Sequence, residues 1–354
     1  MRLHKKASVA LLVMLLTACA GPVRVPKIVE PVVAEAWMSA PKLADNIDSV
    51  AVWHAPDGAV RVYATAKKTD RVVVFDAADG REIGAIGTSG AGPGQLLRPN
   101  GVAIVDDRLY VVERDNHRVQ VFALPGGEPL GHFGGDELVK PYGVWIDARG
   151  ERLRAYVTDN YETAEGATPP PAELGRRVRV YDVARAGTFD ARLVQSFGAT
   201  SGDAILRVVE SIAGDPLYGH LLIADEELRG GSFTQLYTIA GEPAQRKIGA
   251  DAYRHQAEGL ALYACDDGDG VWIASDQHPL EQRMLAFDRK TLALRGAFKP
   301  VKTRTTDGIA IDQRASARFP AGALYVQHDN RAVAAFDWRD AAKALGVRDD
   351  CVVR

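Results

Sequence analysis

Cysteine is scarce in this chain, with three in 354 residues, at Cys19, Cys265 and Cys351. No His or Cys cluster has the spacing of a zinc site, which argues against that metal. Positive charge shows no excess either. Forty-three Lys+Arg stand against 46 Asp+Glu, a net charge of −3, so there is no electrostatic footprint for nucleic acid. No apolar run is long enough to span a bilayer. Helical periodicity is missing before Asp340, which leaves strands and turns to build the chain. What is present is a 47% apolar share, enough for a full core, with 34 glycines and 18 prolines scattered as turn residues rather than clustered.

The N-terminus reads as a separate object. Arg2, Lys5 and Lys6 precede a short apolar run, Val9 to Leu16, and Leu16-Thr17-Ala18-Cys19 follows. Residues 1–18 are therefore expected to be a cleaved signal. The LTAC phrase resembles a bacterial lipobox, which implies lipidation of Cys19; an ordinary signal peptide with a chance cysteine is the alternative. Ala20 rather than Asp follows, and by the same resemblance the lipoprotein would sit in the outer membrane, facing the periplasm or the cell surface. Its membrane contact would be through the lipid alone. Residues 19–45, with Pro22, Pro26, Pro31 and Pro41, read as a tether that could supply a closing strand. An exported location permits a Cys265–Cys351 disulfide without requiring one.

From residue 46 to 354 one phrase repeats: a small residue, alternating apolar residues, a turn, and two further strands. It begins at Ser49, Gly101, Gly143, Ser211, Gly259 and Gly308, with spacings of 52, 42, 68, 48 and 49 residues. Six phrases of that length predict an all-β, six-bladed β-propeller in one domain, expected to be monomeric. A β-sandwich would give no reason for a sixfold repeat.

Strand one runs across the disc and strand two returns antiparallel, so residues before the first and after the second meet at one channel mouth. The first set is Asp48, Asn100, Tyr142, Glu210, Glu258 and Asp307; the second is Lys67, Arg114, Asn160, Glu226, Asp276 and Asp329, with Lys68 and Asp225 alongside. Blades one and two thus bring cations, and blades four to six bring anions. Two carboxylates ~5 Å apart repel by roughly 3 kcal/mol at an effective dielectric of ~20. Several converging pairs call for protonation, hydration or a cation, and flexible oxygen ligands suit calcium. The basic rim beside it suits phosphate. A solvated acidic pore lining is the alternative.

These residues resemble the β-propeller phytases, calcium-dependent enzymes that release phosphate from phytate. Asp48-Ser49-Val50-Ala51-Val52-Trp53-His54-Ala55-Pro56 is similar to the family's D-D-P-A-I-W-V-H-P, and Lys67-Lys68 falls at its lysine pair. Pro141-Tyr142-Gly143, Glu258-Gly259-Leu260 and Thr306-Asp307-Gly308-Ile309 match its P-Y-G, E-G-L and T-D-G-I. The resemblance covers about residues 45–340, and blade two departs from it. Pro99-Asn100-Gly101 stands where the family carries a phosphate-binding arginine, and Asn116-His117-Arg118-Val119 is similar to an NHL repeat. The resemblance implies calcium at Asp48, Glu210, Glu226, Glu258 and Asp307, and a phosphorylated small molecule met by Lys67, Lys68, Tyr142 and Arg114, the last replacing the missing arginine. A non-catalytic NHL-like binding propeller on the cell envelope is the rival; a lactonase-type propeller lacks the lysine pair. His117 and His328 are expected at the surface or in turns. The loop Glu162–Glu173 is expected at the mouth face.

Overall fold

The computed structural model describes residues 30–228 and 231–353, and the signal segment with Cys19 lies outside them. Six four-stranded antiparallel sheets stand around a channel, as the sixfold phrase predicts. The inner strands are Ile47–His54, Pro99–Val105, Pro141–Asp147, Val209–Asp215, Gln256–Ala264 and Ile309–Asp312, each packed against the next and the last against the first. Second strands return at Val60–Ala66, Arg108–Glu113, Arg152–Asp159, His220–Asp225, Gly270–Gln277 and Ala323–His328. Aromatic side chains of these strands, Tyr63, Tyr110, Trp272 and Tyr325 among them, are buried between blades. Each contributes roughly 1.5–3 kcal/mol by leaving water.

Closure uses both ends of the chain. Blade six supplies three strands of its own, and Trp37–Met38 pairs with Ala332–Asp337 as the fourth. Val32–Val33 adds a parallel fifth strand to blade five at Leu294–Pro300. Part of the expected tether is therefore structural. A short helix, Trp338–Leu345, follows blade six, with Asp337 as its N-cap and Gly346 left-handed at its end. Cys265 and Cys351 are disulfide-bonded, fixing the C-terminal tail to blade five.

The small residue that opens each phrase has a steric reason. A Cβ on Gly143 would lie 2.6 Å from the Glu210 carbonyl oxygen, and one on Gly308 would lie 2.5 Å from the Cα of Ser49. Inner strands approach too closely there for larger side chains. The same step is a β-bulge in blades one to five. Ile47 pairs with Ala66 and Val50 with Ala64, so Asp48 and Ser49 together oppose Thr65. Asn100-Gly101, Tyr142-Gly143, Glu210-Ser211 and Glu258-Gly259 occupy the matching steps. A bulge re-aims one side chain without ending the ladder.

Candidate functional site

Each bulge turns its first residue toward the mouth, and hydroxyls lock the positions between blades. Thr65 Oγ1 donates to the Asn100 carbonyl at 2.6 Å, Thr158 to that of Glu210 at 2.8 Å, and Ser275 to that of Thr306 at 2.7 Å. On the anionic side Glu210, Glu226 and Glu258 each offer an oxygen, all within 4.8 Å of one another. Glu210 and Glu258 are buried. Burial first, then the charges of Glu226, Asp48 and Asp307, push the Glu210 carboxyl well above its ordinary range. Glu258 is driven the same way by burial and by Glu210, Glu226 and Asp307. Asp307 rises through burial and Asp48, and Gln277 donates to it. Gln256 donates to Glu226 at 2.9 Å.

Lys67 crosses this field. Its ammonium lies 2.5 Å from Asp48 Oδ1. Burial alone would lower its pKa, but Asp48, Asp307 and Glu210 hold it above the usual lysine range, so it stays charged. The Tyr142 phenol is raised well above its ordinary value by Glu210, then by burial and by Asp48, so it stays a donor. Asn100, fully buried at the corresponding place in blade two, has neither its amide oxygen nor its nitrogen hydrogen-bonded. A buried amide without partners costs about 1–3 kcal/mol per group. It points to something absent from the protein atoms themselves.

The structure therefore gathers Asp48, Lys67, Tyr142, Glu210, Glu226, Glu258 and Asp307 in one electrostatic neighbourhood. Among the described residues the two other expected cations form no ion pair with these groups, so neither is held by them. Arg114 Nε donates to Asp115 at 2.6 Å, and the exposed Lys68 side chain makes no hydrogen bond or ion pair among the described residues. Asp276 requires a correction. It is buried beneath the rim, accepting the backbone N–H groups of Arg254 and His255 and pairing with Arg283. Glu113, Asp159 and Asp225 hold the equivalent strand-end places and accept backbone N–H groups likewise. The mouth position in blade five is Gln277, one residue further on. His328 is also corrected. It is buried at a strand end, where burial pushes its pKa down to about 4, whereas His117 is exposed in a turn.

Sequence reasoning passed over Gln277 and the unsatisfied state of Asn100. The signal for Gln277 was available in the repeated acid-then-polar dipeptide Glu113-Arg114, Asp159-Asn160, Asp225-Glu226, Asp276-Gln277. No signal in the sequence could show that Asn100 lacks partners.

Comparison with known proteins adds one repeat and a fold. Residues 96–122, in blade two, match the NHL repeat. No curated protein sequence matches the chain. Among solved structures, a calcium-binding regucalcin from Agrobacterium tumefaciens strain C58 is similar over 87% of this chain and 97% of its own, at 11% identity and a TM-score of 0.54. A catalytically inactive virginiamycin B lyase from Staphylococcus aureus, solved with quinupristin, aligns over 84% and 97% at 9% identity and a TM-score of 0.48. Hydrazine synthase of Kuenenia stuttgartiensis aligns over 89% and 85% at 14% identity and a TM-score of 0.49. At such identities the regucalcin likeness concerns architecture alone. The chain is a six-bladed β-propeller with an NHL repeat in its second blade and an acidic cluster at one channel mouth.

Proposed function

We propose that the protein is a calcium-dependent phosphomonoester hydrolase of phytase type, exported and anchored through a lipid on Cys19. The observation that carries this reading is the convergence of Glu210, Glu226 and Glu258 within 4.8 Å, while Asn100, at the matching bulge of blade two, has a buried amide without partners. The donor set fits calcium, because it is oxygen-only, flexible in spacing, and otherwise forced into proton uptake. Asp48 and Asp307 are close enough to raise their neighbours' pKa values and complete the ligand supply. When bound, calcium supplies Lewis-acid polarisation of a phosphoryl oxygen and activation of water.

The remaining roles belong to this chain's own groups. The Lys67 ammonium, kept protonated by Asp48, donates to a phosphate oxygen and offsets its charge. The Tyr142 hydroxyl, kept protonated by Glu210, donates a second hydrogen bond. Thr65, Thr158 and Ser275 hold the blades in register, so these donors are set before substrate arrives.

A second reading has its own support. Arg114 is engaged by Asp115 and Lys68 is out in solvent, which thins the phosphate side and favours a non-catalytic NHL-like propeller binding a partner at the same face. Initial-rate phosphate release from phytate, with millimolar calcium and with chelator, separates the two. Calcium-dependent turnover is expected. Absence of turnover together with calcium binding in calorimetry would leave the binding propeller.

A further inference from the structure

The channel has a second mouth. A cavity of about 700 Å³ runs from the ring of Ser49, Gly101, Gly143, Ser211 and Gly308 to Asp312 and Arg314 at the other face. Its walls mix polar surface with apolar side chains such as Val102, Ile104, Leu262 and Ile311. Trp145 forms part of one wall, and Gly214 makes room for its ring: a Cβ there would lie 2.3 Å from the indole. These apolar side chains pack on the blade cores and turn their remaining exposed surface to the concave space.

His54 lines the same space. His54 Nε2 lies 2.9 and 2.8 Å from the two oxygens of Asp312, which is 8% exposed. Asp312 is fixed in turn by the backbone N–H of Arg314, at 3.0 Å. A neutral imidazole facing a carboxylate through Nε2 carries its proton there, which leaves Nδ1 an acceptor. Nδ1 has no partner among the described residues. The rim sets Asp106, Asp107 and Asp312 against Arg185 and the exposed Arg314, so it has no cationic excess for an anion. Asp106 is paired with Arg185, while exposed Asp107 accepts the Trp53 indole N–H at 2.7 Å.

We propose that this second mouth binds a neutral hydroxylated aromatic molecule, its ring against Trp145 and its hydroxyl donating to His54 Nδ1. The site is independent of the phosphatase reading, since no residue of the acidic cluster takes part. Calorimetric titration of the full chain with 2-naphthol and 2-methoxynaphthalene tests it. Saturable one-to-one binding of 2-naphthol is expected, at least about tenfold tighter than the ether, which has no proton to donate. His54→Phe should abolish that preference. Asp312→Leu removes the acceptor that fixes the proton on Nε2 and should shrink the preference. Trp145→Ala should weaken both probes by the same factor, and Glu258→Gln should alter neither. Failure of 2-naphthol to saturate, or a preference that survives His54→Phe, would overturn the proposal. So would loss of naphthol binding in Glu258→Gln, which would place the probe at the acidic mouth.

Discussion

Glu258 has Glu210, Glu226 and Asp307 as charged neighbours and is buried, so its own charge is opposed from several directions. Replacing it with glutamine, which is neutral without taking up a proton, should stabilise the metal-free protein at pH 8 by about 1–3 kcal/mol. The same change removes a calcium ligand, so the rise in melting temperature on adding calcium should shrink. Thermal melts in chelator and in millimolar calcium measure both effects. Asp312→Asn, at the opposite mouth, serves as control and should leave the calcium increment unaltered. Lys67→Met tests the cationic side. It leaves Asp48 unpaired and should lower phosphate release from phytate at saturating calcium by at least about tenfold, the loss of one charged donor. An unchanged rate would remove Lys67 from the site. The residue scale is also where reading by eye slips. Strand side chains alternate, so one residue of error exchanges a mouth group for a buried anchor. That is the difference between Asp276, held by Arg283 and two backbone N–H groups, and Gln277, which donates to Asp307.

Among the elements, the inner strands do most to position the site. Their opening glycines and serines were legible as a repeated small residue, because backbone approach leaves no freedom in residue type. Gly143→Ala should destabilise by about 1–3 kcal/mol, as overpacking against the Glu210 carbonyl requires. Gly84→Ala, on an outer strand with nothing within 4 Å, should cost little or stabilise slightly. Urea unfolding of the two variants compares them directly, and equal midpoints would refute the close-approach account. The bulges themselves were not legible, since two residues opposing one leaves the apolar alternation on either side intact. The loop after strand two of blade three is ordered by its own contacts. Tyr161 donates to the Glu173 carbonyl, and Lys140 pairs with Glu162, around a cavity of 530 Å³. Shortening the loop between Glu162 and Glu173 should change the ratio of rates on large and small phosphoesters more than it changes the melting temperature. Unchanged kinetics on both would separate the loop from the site.

For the molecule as a whole, the circular arrangement couples groups that are far apart in sequence. Asp48 and Asp307 belong to the first and last blades, and each raises or fixes the charge of groups around the ring. The sixfold phrase made the ring of acids foreseeable. Its energetics depend on distances across blades, which no spacing along the chain contains. The consequence is a pH dependence with a definite sign. In chelator, Glu210, Glu258 and Asp307 keep protons in the folded state at pH values where the unfolded chain has released them. The folded state then binds more protons than the unfolded one, so stability falls as pH rises from about 4 through their raised values. Lys67 does not contribute to this slope, because its raised pKa places its loss of charge far above the window. Calcium must displace those protons to bind, so its affinity should increase with pH. At about 100 times the dissociation constant it should add about 2.7 kcal/mol. Urea unfolding between pH 5 and 8 should therefore show a declining stability in chelator and a widening gap between chelated and calcium-loaded protein. A gap that stays constant across that range would mean that the cation does not replace protons on these three carboxyls, and the cluster would then be a solvated pore lining rather than a metal site.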